Sequence, residues 1–288
     1  MNRCSVFFML KKYAVPVALS MAVFMCVPPS AEAQGAAEDQ LTGKLVITGS
    51  STIAPLIAEI GKRFESLYPG VRIDVQSGGS SRGVADARQG LADIGMVSRA
   101  MKEDERDLSA FPVARDGVCP ILHRENPVQA LTDEQVVAIY TGKITNWKTV
   151  GGADAPITVL NKAEGRSTLE VFLQYFKLKS VDVKAQVVIG ENEQGVKTVA
   201  GNRNAIGYVS IGTAEYDAAH GVPIKLLPIG GVAASTENVQ QGVFPLSRPL
   251  HIVTRAPPVG LANAFIEYVQ SKAVHDLIRQ QYFVPLAN

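Results

Sequence analysis

The stretch Lys44-Leu-Val-Ile-Thr-Gly-Ser-Ser-Thr52 runs from an apolar segment into a cluster of glycine and small hydroxyl residues. Residues 44–48 predict a buried strand, and the apolar spacing over residues 53–68 predicts the helix that follows. Ser51 or Thr52 is expected to cap that helix. The unit predicted is therefore a strand that ends in small polar residues at the start of a helix.

Two further clusters of this kind are Gly78-Gly-Ser-Ser-Arg-Gly83 and Gly165-Arg-Ser-Thr168, each between a predicted strand and a predicted helix. A helix start exposes unpaired backbone N–H groups and the positive end of the macrodipole, so it can hold an anion without a dedicated cation. Glycine lets the backbone approach the ligand, and hydroxyl groups add donors. Three such helix starts at one point would surround a small oxyanion. The clusters therefore indicate an anion-binding protein.

Strands and helices are predicted to alternate along most of the chain. In the N-terminal part, strands at 71–75 and 92–96 with a helix through Gln89 between them imply a parallel sheet with helices on its faces. Further strands are predicted at 117–122, 157–160, 184–189, 205–210 and 250–254, and helices at 132–140, 169–178 and 261–281. Two α/β units joined by a hinge fit this pattern, with one ligand gripped in the cleft between them.

The first 33 residues are predicted to be a cleavable signal peptide. A basic start is followed by an apolar run over residues 13–27 and by the small-x-small site Ala31-Glu-Ala33. The apolar run is shorter than the ~20 residues that a membrane-spanning helix needs. Cys26 follows Met25 rather than a small residue, which argues against a lipid anchor. Residues 34–40 are predicted to be a disordered tail, and the mature protein is expected in the periplasm.

Charge and cysteine content narrow the class of protein. The whole chain has 28 basic and 27 acidic residues, and loss of the signal peptide turns the net charge to −1, because three basic residues and one acidic residue leave with it. A near-neutral chain argues against nucleic-acid binding, which favours a basic excess. Only Cys119 remains after cleavage, so no internal disulfide is expected.

Several motifs, in order along the chain, resemble those of the periplasmic phosphate-binding proteins of ABC uptake systems. They are Gly49-Ser-Ser-Thr52, Ser77-Gly-Gly-Ser-Ser-Arg-Gly83, Ala92-Asp-Ile-Gly95, Tyr140-Thr-Gly-Lys-Ile-Thr-Asn-Trp147, Ala205-Ile-Gly-Tyr-Val-Ser210 and Pro245-Leu-Ser-Arg-Pro-Leu250. The resemblance runs from about Leu41 to the C-terminus. It implies an α/β protein with the type II periplasmic binding protein fold, two domains joined by a hinge. Residues 41–116 plus 246–288 would form domain 1, and residues 117–245 would form the inserted domain 2.

The resemblance also implies ligand residues in the first two clusters and at the end of one strand. Ser51 and Thr52 match the contacts of the first helix start, and Ser80 matches the serine of the second. Asp93 matches the carboxylate that accepts the proton of a protonated phosphate. A buried carboxylate repels a fully deprotonated oxyanion such as sulfate but accepts a hydrogen bond from one that keeps a proton. The alternative for Asp93 is an ordinary cap at a strand end.

The third cluster departs from the family pattern, which has an arginine three residues before the glycine and Ser-Gly-Thr after it. This chain has Lys162 at the arginine position and Arg166-Ser167-Thr168 after the glycine. Lysine does not replace arginine at a bidentate phosphate contact. Two interpretations follow for Arg166: its guanidinium supplies the fork that Lys162 lacks, or it points to solvent while its backbone N–H serves the ligand. Ser167 and Thr168 are expected to bind the ligand in either case, and Lys162 or Arg166 is expected to complement its charge.

Signals for other chemistry are weak. Gly79-Ser-Ser-Arg-Gly83 fits the G-x-S-x-G pattern of a serine hydrolase, but no histidine stands in a convincing loop after a late strand. No Cys or His cluster has metal-ligand spacing, and neither Gly-Lys pair completes a P-loop. Tyr140 and Trp147 are interpreted as packing residues rather than a stacking platform for bases.

The sequence therefore predicts a non-enzymatic, monomeric solute-binding protein. It would capture inorganic phosphate and deliver it to the membrane permease of an ABC transporter, without a cofactor or a metal. One alternative within the class is a binder of another tetrahedral oxyanion, such as sulfate, molybdate or tungstate. The other is a sensor or scaffold that keeps the fold without transport.

Overall fold

The computed structural model describes residues 41–286, so the predicted signal peptide and tail lie outside the described residues. The first elements of the fold alternate as the sequence predicts. They are β1 (Gly43–Gly49), α1 (Ala54–Leu67), β2 (Val71–Ser77), α2 (Ser80–Gln89) and β3 (Ile94–Val97). Six residues on one face of α1 are buried, as expected from their helical spacing.

The start of α1 differs from the prediction. Neither Ser51 nor Thr52 caps the helix, because residues 51–53 form a turn and the cap position is Ile53, without a side-chain hydrogen bond. The Ser50 hydroxyl instead accepts a hydrogen bond from the backbone N–H of Thr52 at 3.2 Å. A short turn stabilised by Ser50 therefore separates β1 from α1, and the Thr52 hydroxyl stays free for other partners.

The remaining elements follow in chain order. They are β4 (Ser109–His123), α3 (Asp133–Tyr140), β5 (Thr158–Lys162), α4 (Ser167–Phe176), β6 (Val187–Ile189), α5 (Asn192–Ala200), β7 (Ala205–Ser210), α6 (Ile211–Ala219), β8 (Ile224–Leu226), α7 (Thr236–Gln240), β9 (Ser247–Thr254), α8 (Gly260–Gln270), α9 (His275–Gln280) and β10 (Val284–Pro285). The sequence did not predict α5, α6, α7 or β8. α7 and β8 span five and three residues, too few for apolar periodicity to stand out.

The parallel sheet expected in the N-terminal part of the chain is confirmed. β1 pairs in parallel with β2 and β3, and β5 pairs in parallel with β6 and β7. β9 is antiparallel to β3 and to β4, and β4 is antiparallel to β7. The α/β class is confirmed, but the sheet is mixed because a late strand and a long middle strand insert between the two parallel groups.

Two stretches of chain connect the parallel groups. The first half of β4 pairs with β9, and its second half pairs with β7 and β8. Gly117 of β4 lies opposite Ser247 of β9, and the backbone N–H of Val118 donates to the carbonyl of Leu246 at 3.0 Å. The two connections are therefore adjacent in space, at residues 116–118 and 246–248.

The buried apolar side chains form two large clusters. One contains residues of β4's second half and of the elements from α3 to α7, and the other contains residues of β1, α1, β2, β3, β9, α8 and α9. Trp147 and Tyr140 lie in the first cluster, 1% and 0% exposed, so their interpretation as packing residues is confirmed. Cys119 is a free thiol in the same cluster, and burial raises its pKa.

Close backbone packing surrounds Gly83 in α2. A Cβ at this position would lie 2.8 Å from the carbonyl oxygen of Met96 and 2.9 Å from the Cα of Gly49. Backbone atoms of strands β1 and β3 cannot yield as a side chain can. The glycine therefore lets α2 pack directly on the strand ends that carry the polar clusters.

Gly83→Ala is expected to lower the free energy of unfolding. Overpacking costs about 1–3 kcal/mol, against about 1 kcal/mol gained from alanine's helix propensity. Gly61→Ala in α1 is the control, since the added methyl group there meets only the Ile73 side chain. Urea unfolding followed by circular dichroism compares the two variants. Equal stability of both would contradict the packing argument.

Candidate functional site

The three polar clusters predicted from the sequence all lie between a strand and a helix, and the structure brings them together. Their side chains, with one serine after β3, form what we call the hydroxyl cluster: Ser50, Thr52, Ser80, Ser98, Ser167 and Thr168. Every member is at most 4% exposed. The second and third clusters also meet through their backbones, because the N–H of Ser81 donates to the carbonyl of Gly165 at 3.2 Å.

Hydrogen bonds connect the hydroxyl groups of different elements. The Ser50 and Ser98 hydroxyls are hydrogen-bonded to each other, as are those of Ser80 and Ser167. The backbone N–H of Ser98 donates to the Ser80 oxygen at 3.2 Å. Elements from both parallel groups of strands therefore contribute hydroxyls to one buried polar centre. A buried polar network of this kind is costly unless its members are satisfied by each other or by a ligand.

Arg248 in β9 connects the first and third polar clusters. Its guanidinium donates to the Thr168 hydroxyl at 3.0 Å and to the Thr52 hydroxyl at 3.2 Å. Arg248 belongs to the motif at residues 245–250, but the sequence analysis predicted no role for it. The signal that could have identified it was a cation two residues before the apolar strand predicted at 250–254, because a buried cation needs a partner.

Asp116 in β4 is that partner. Its Oδ2 atom accepts hydrogen bonds from Nη2 and Nε of Arg248 at 2.8 and 3.0 Å, and both side chains are 1% exposed. The Oδ1 atom accepts from the backbone N–H of Gly212 at 3.2 Å. Since Asp116 and Arg248 are opposite each other in the β4–β9 pairing, the pair also lies where the chain connects the two groups of strands.

Lys162, the last residue of β5, is the second buried cation. It is 2% exposed, and its Nζ atom donates to Oδ1 of Asn192 at 3.0 Å. The Asn192 amide nitrogen in turn donates to the Thr52 hydroxyl at 3.2 Å. Burial, and then the nearby charge of Arg248, lower the pKa of Lys162 from its ordinary 10.5 to about 7.

Asn192 was missed by the sequence analysis. It is the first residue of α5 and is 4% exposed. The signal was the order strand, polar residues, helix, which recurs here after β6. Because α5 is short and polar, its periodicity did not reveal a helix. The start of α5 is therefore a fourth helix start, besides those of the three polar clusters, that places a polar side chain in the site.

Arg166 follows neither of the two predicted interpretations. Its guanidinium donates to Oε1 of Glu191 at 2.7 Å, and its side chain is 18% exposed. It therefore neither points freely to solvent nor adds an unpaired fork to the hydroxyl cluster. The guanidinium in the hydrogen-bond network belongs to Arg248 instead.

Asp93 requires a correction. It is exposed, and its Oδ2 atom accepts a hydrogen bond from the backbone N–H of Val46 at 2.7 Å. It precedes β3, whereas Ser98, the member of the hydroxyl cluster, follows β3. At about 3.3 Å per residue these positions are roughly 16 Å apart. The structure therefore does not bring Asp93 to the cluster, and Asp93 acts as the strand-end cap weighed as the alternative.

Ser51 also differs from its assignment. It is half-buried and stands in the turn before α1. The buried hydroxyls of this turn belong to Ser50 and Thr52. The buried serine of the first polar cluster is therefore Ser50 and not Ser51, because the turn before α1 points the side chain of Ser50 inward.

The arrangement suits a small oxyanion. Six hydroxyl groups, the guanidinium of Arg248 and the amine of Lys162 offer many donors in a desolvated setting, where charge-assisted hydrogen bonds are strong. Within residues 41–286 no group of three or more His, Cys, Asp or Glu side chains could hold a metal ion. No helix of this part of the chain combines the length and apolar character needed to cross a membrane.

Comparisons with known proteins agree with this geometry. A family model described as a PBP superfamily domain matches residues 33–273. The chain is 30% identical to the phosphate-binding protein PstS of Pseudomonas aeruginosa, over 85% of this chain and 84% of that protein. It is 27% identical to PstS of Bacillus subtilis, over 97% and 96%.

A solved structure is also similar to this chain. It is a Clostridium perfringens substrate-binding protein, assigned to a phosphate ABC transporter and crystallised with bound phosphate. It superposes with a TM-score of 0.79 at 31% identity, over 85% of this chain and 100% of that chain. The type II periplasmic binding protein fold is thereby confirmed. The chain belongs to the PBP superfamily and, within it, to the family of PstS phosphate-binding proteins.

Proposed function

We propose that this protein captures inorganic phosphate in the hydroxyl cluster and delivers it to the membrane permease of an ABC transporter. The observation that carries the proposal is the buried network in which Arg248 joins the Thr52 and Thr168 hydroxyls. Desolvated donors from several helix starts hold a tetrahedral anion through all of its oxygens. The relatives named as phosphate-binding proteins support this ligand.

The hydroxyl cluster supplies the ligand contacts in this proposal. Thr52, Ser80, Ser167 and Thr168 keep the roles predicted for them, and Ser50 and Ser98 replace Ser51 and Asp93. Arg248 gives the positive charge that complements the anion, and Lys162 gives a second positive charge when it is protonated. Arg166 pairs with Glu191 in this proposal and does not bind the ligand.

Residues 41–116 plus 246–288 act as one domain and residues 117–245 as the other. The two adjacent connections at 116–118 and 246–248 are the hinge in this proposal. The separate hydrophobic clusters support the division, because each domain then has its own core. Phosphate bound by hydroxyls from both domains favours the closed arrangement over an open one.

The protein acts as an exported, monomeric binding protein that does no covalent chemistry. The Ser81 hydroxyl, which would be the nucleophile of the G-x-S-x-G pattern, donates to the carboxylate of Glu170 at 3.3 Å. A hydrolase needs a histidine base in that place. His251, in β9, is directed instead to the backbone carbonyl of Arg99 at 3.3 Å.

Calorimetric titration of the anion-stripped protein with phosphate, sulfate, molybdate and tungstate tests the proposal. We expect tight one-to-one phosphate binding. Tight binding of another oxyanion instead would move the assignment to that ligand. If none of the four anions binds, the sensor or scaffold alternative is favoured.

Asp93→Asn is the matched variant for this titration. It keeps an acceptor for the Val46 N–H and removes the charge, so we expect the phosphate and sulfate responses of the unmodified protein. A gain in sulfate binding would show that the Asp93 carboxylate excludes sulfate, a role that the geometry does not support.

A further inference from the structure

Glu170 in α4 collects three contacts that the phosphate site itself does not require. Its carboxylate forms ion pairs with Nε of Arg99 at 2.9 Å and with Nζ of Lys102 at 2.7 Å. The Ser81 hydroxyl donates to the same carboxylate at 3.3 Å. All three donors precede β4 in the chain, whereas Glu170 lies in the segment proposed as the second domain.

Two of these three residues, Ser81 and Arg99, are direct neighbours of serines in the hydroxyl cluster. Ser81 follows Ser80, and Arg99 follows Ser98, while Glu170 lies one half-turn of helix beyond Thr168. The Glu170 carboxylate therefore fixes the distance between the serines of the first domain and the start of α4. A movement that separates the two domains breaks these contacts. The same movement increases the distance between the hydroxyls of Ser80 and Ser98 and those at the start of α4.

The positively charged side chains of Arg99 and Lys102 stabilise the position of the Glu170 carboxylate. Arg99 is 5% exposed, and its two terminal nitrogens each donate to Glu105 at 2.7 Å, so the guanidinium is fixed before it meets Glu170. Glu170 is 24% exposed and Lys102 is 47% exposed. Ion pairs at a partly desolvated position are stronger than the exposed pairs of a surface.

A cavity of about 530 Å³ lies beside these residues and continues to Arg248. Arg99, Lys102 and Glu170 line it together with Tyr175 and Ser247. Because Glu170 borders open space, glutamine at this position changes charge without crowding its neighbours.

We propose that Glu170 is a positioning residue for phosphate capture. It holds Ser80 and Ser98 against the start of α4 in the closed arrangement and thereby slows ligand release. The inference rests on the proposed function, because it names what keeps that site closed.

The test compares Glu170→Gln with Glu59→Gln, a control in which the ion pair to Lys62 lies within α1. Rates of phosphate association and dissociation are measured by rapid mixing, and the thermal midpoint is measured without ligand. For Glu170→Gln we expect roughly tenfold faster release at a nearly unchanged association rate. The ligand-free midpoint should equal that of the control, since an open protein does not make these contacts.

Three results would overturn the inference. Release from Glu170→Gln could match the unmodified protein, or its association rate alone could fall. The ligand-free midpoint could also drop in step with affinity, which would make Glu170 an ordinary structural ion pair.

An unmodified protein that does not respond to phosphate contradicts the proposed function separately. The release rates are then compared for whichever of sulfate, molybdate and tungstate binds, and a protein that binds none of them overturns the inference on Glu170 as well. Faster release of that anion from Glu170→Gln than from Glu59→Gln supports the contact as a closing one, and equal rates overturn it.

Discussion

Arg248→Met is expected to abolish measurable phosphate binding and to lower the free energy of unfolding by roughly 3–5 kcal/mol. The guanidinium is the group that joins the Thr52 and Thr168 hydroxyls, so its loss removes charge-assisted donors from both sides of the ligand. The variant also leaves Asp116 buried without its cation. An uncompensated buried carboxylate accounts for most of the lost stability.

The double variant Asp116→Asn/Arg248→Met separates the two effects. With both charges removed we expect stability close to that of the unmodified protein, since the desolvation penalty of the pair disappears with its attraction. Phosphate binding should stay absent. Denaturant unfolding and calorimetric titration of both variants check this. Recovery of binding in the double variant would show that Arg248 acts through the fold and not on the ligand.

Phosphate affinity is expected to fall as the pH rises above about 7, by up to about tenfold per pH unit. In the protein without ligand the pKa of Lys162 is about 7 because of burial and the neighbouring Arg248. A bound anion favours the charged amine and raises this pKa. Binding above pH 7 therefore takes up a proton, whereas below pH 7 the amine is already charged and contributes no pH dependence.

Stability without ligand should change in the opposite direction. The pKa of Lys162 in the folded protein, about 7, lies below its ordinary 10.5, so the unfolded chain binds more protons between these values. The free energy of unfolding then rises with pH across that window and is lowest, as far as this group is concerned, below pH 7.

Lys162→Met provides the control for both trends. Its pH profile of affinity contains the ionisation of phosphate itself but not that of the amine, so the difference between the two profiles isolates Lys162. We expect titrations from about pH 6 to about pH 9 to diverge, and the rise in stability to vanish in the variant. Parallel affinity profiles would mean that Lys162 does not sense the ligand.

Local chemistry explains which parts of the site could be predicted from the sequence. Ser80, Ser167 and Thr168 were predicted as site residues because glycine and hydroxyl residues at a helix start carry a signal within a few residues of chain, and the structure brings them together. Trp147 and Tyr140 were correctly assigned to packing because one aromatic pair without a basic track does not indicate a binding surface. In each case the reason for the residue lies close to it in the sequence.

Asp93, Ser98 and Arg248 show where such reasoning fails. Asp93 and Ser98 stand at opposite ends of one strand, and only the position of that strand in the sheet decides which end meets the helix starts. Arg248 lies 196 residues from Thr52, which it contacts. Its ion pair with Asp116 depends on the antiparallel pairing of β4 with β9, which the order of elements did not imply.

By itself, the sequence determined the α/β class, the strand–helix units, the three polar clusters and the resemblance to oxyanion-binding proteins, because these depend on short-range periodicity and on residue types at helix starts. Only the tertiary structure decided which polar groups face each other. It placed Arg248 and Asn192 in the network, paired Arg166 with Glu191 and left Asp93 outside. Those outcomes depend on strand pairing and burial between distant segments, and a charge has no partner until the fold supplies one.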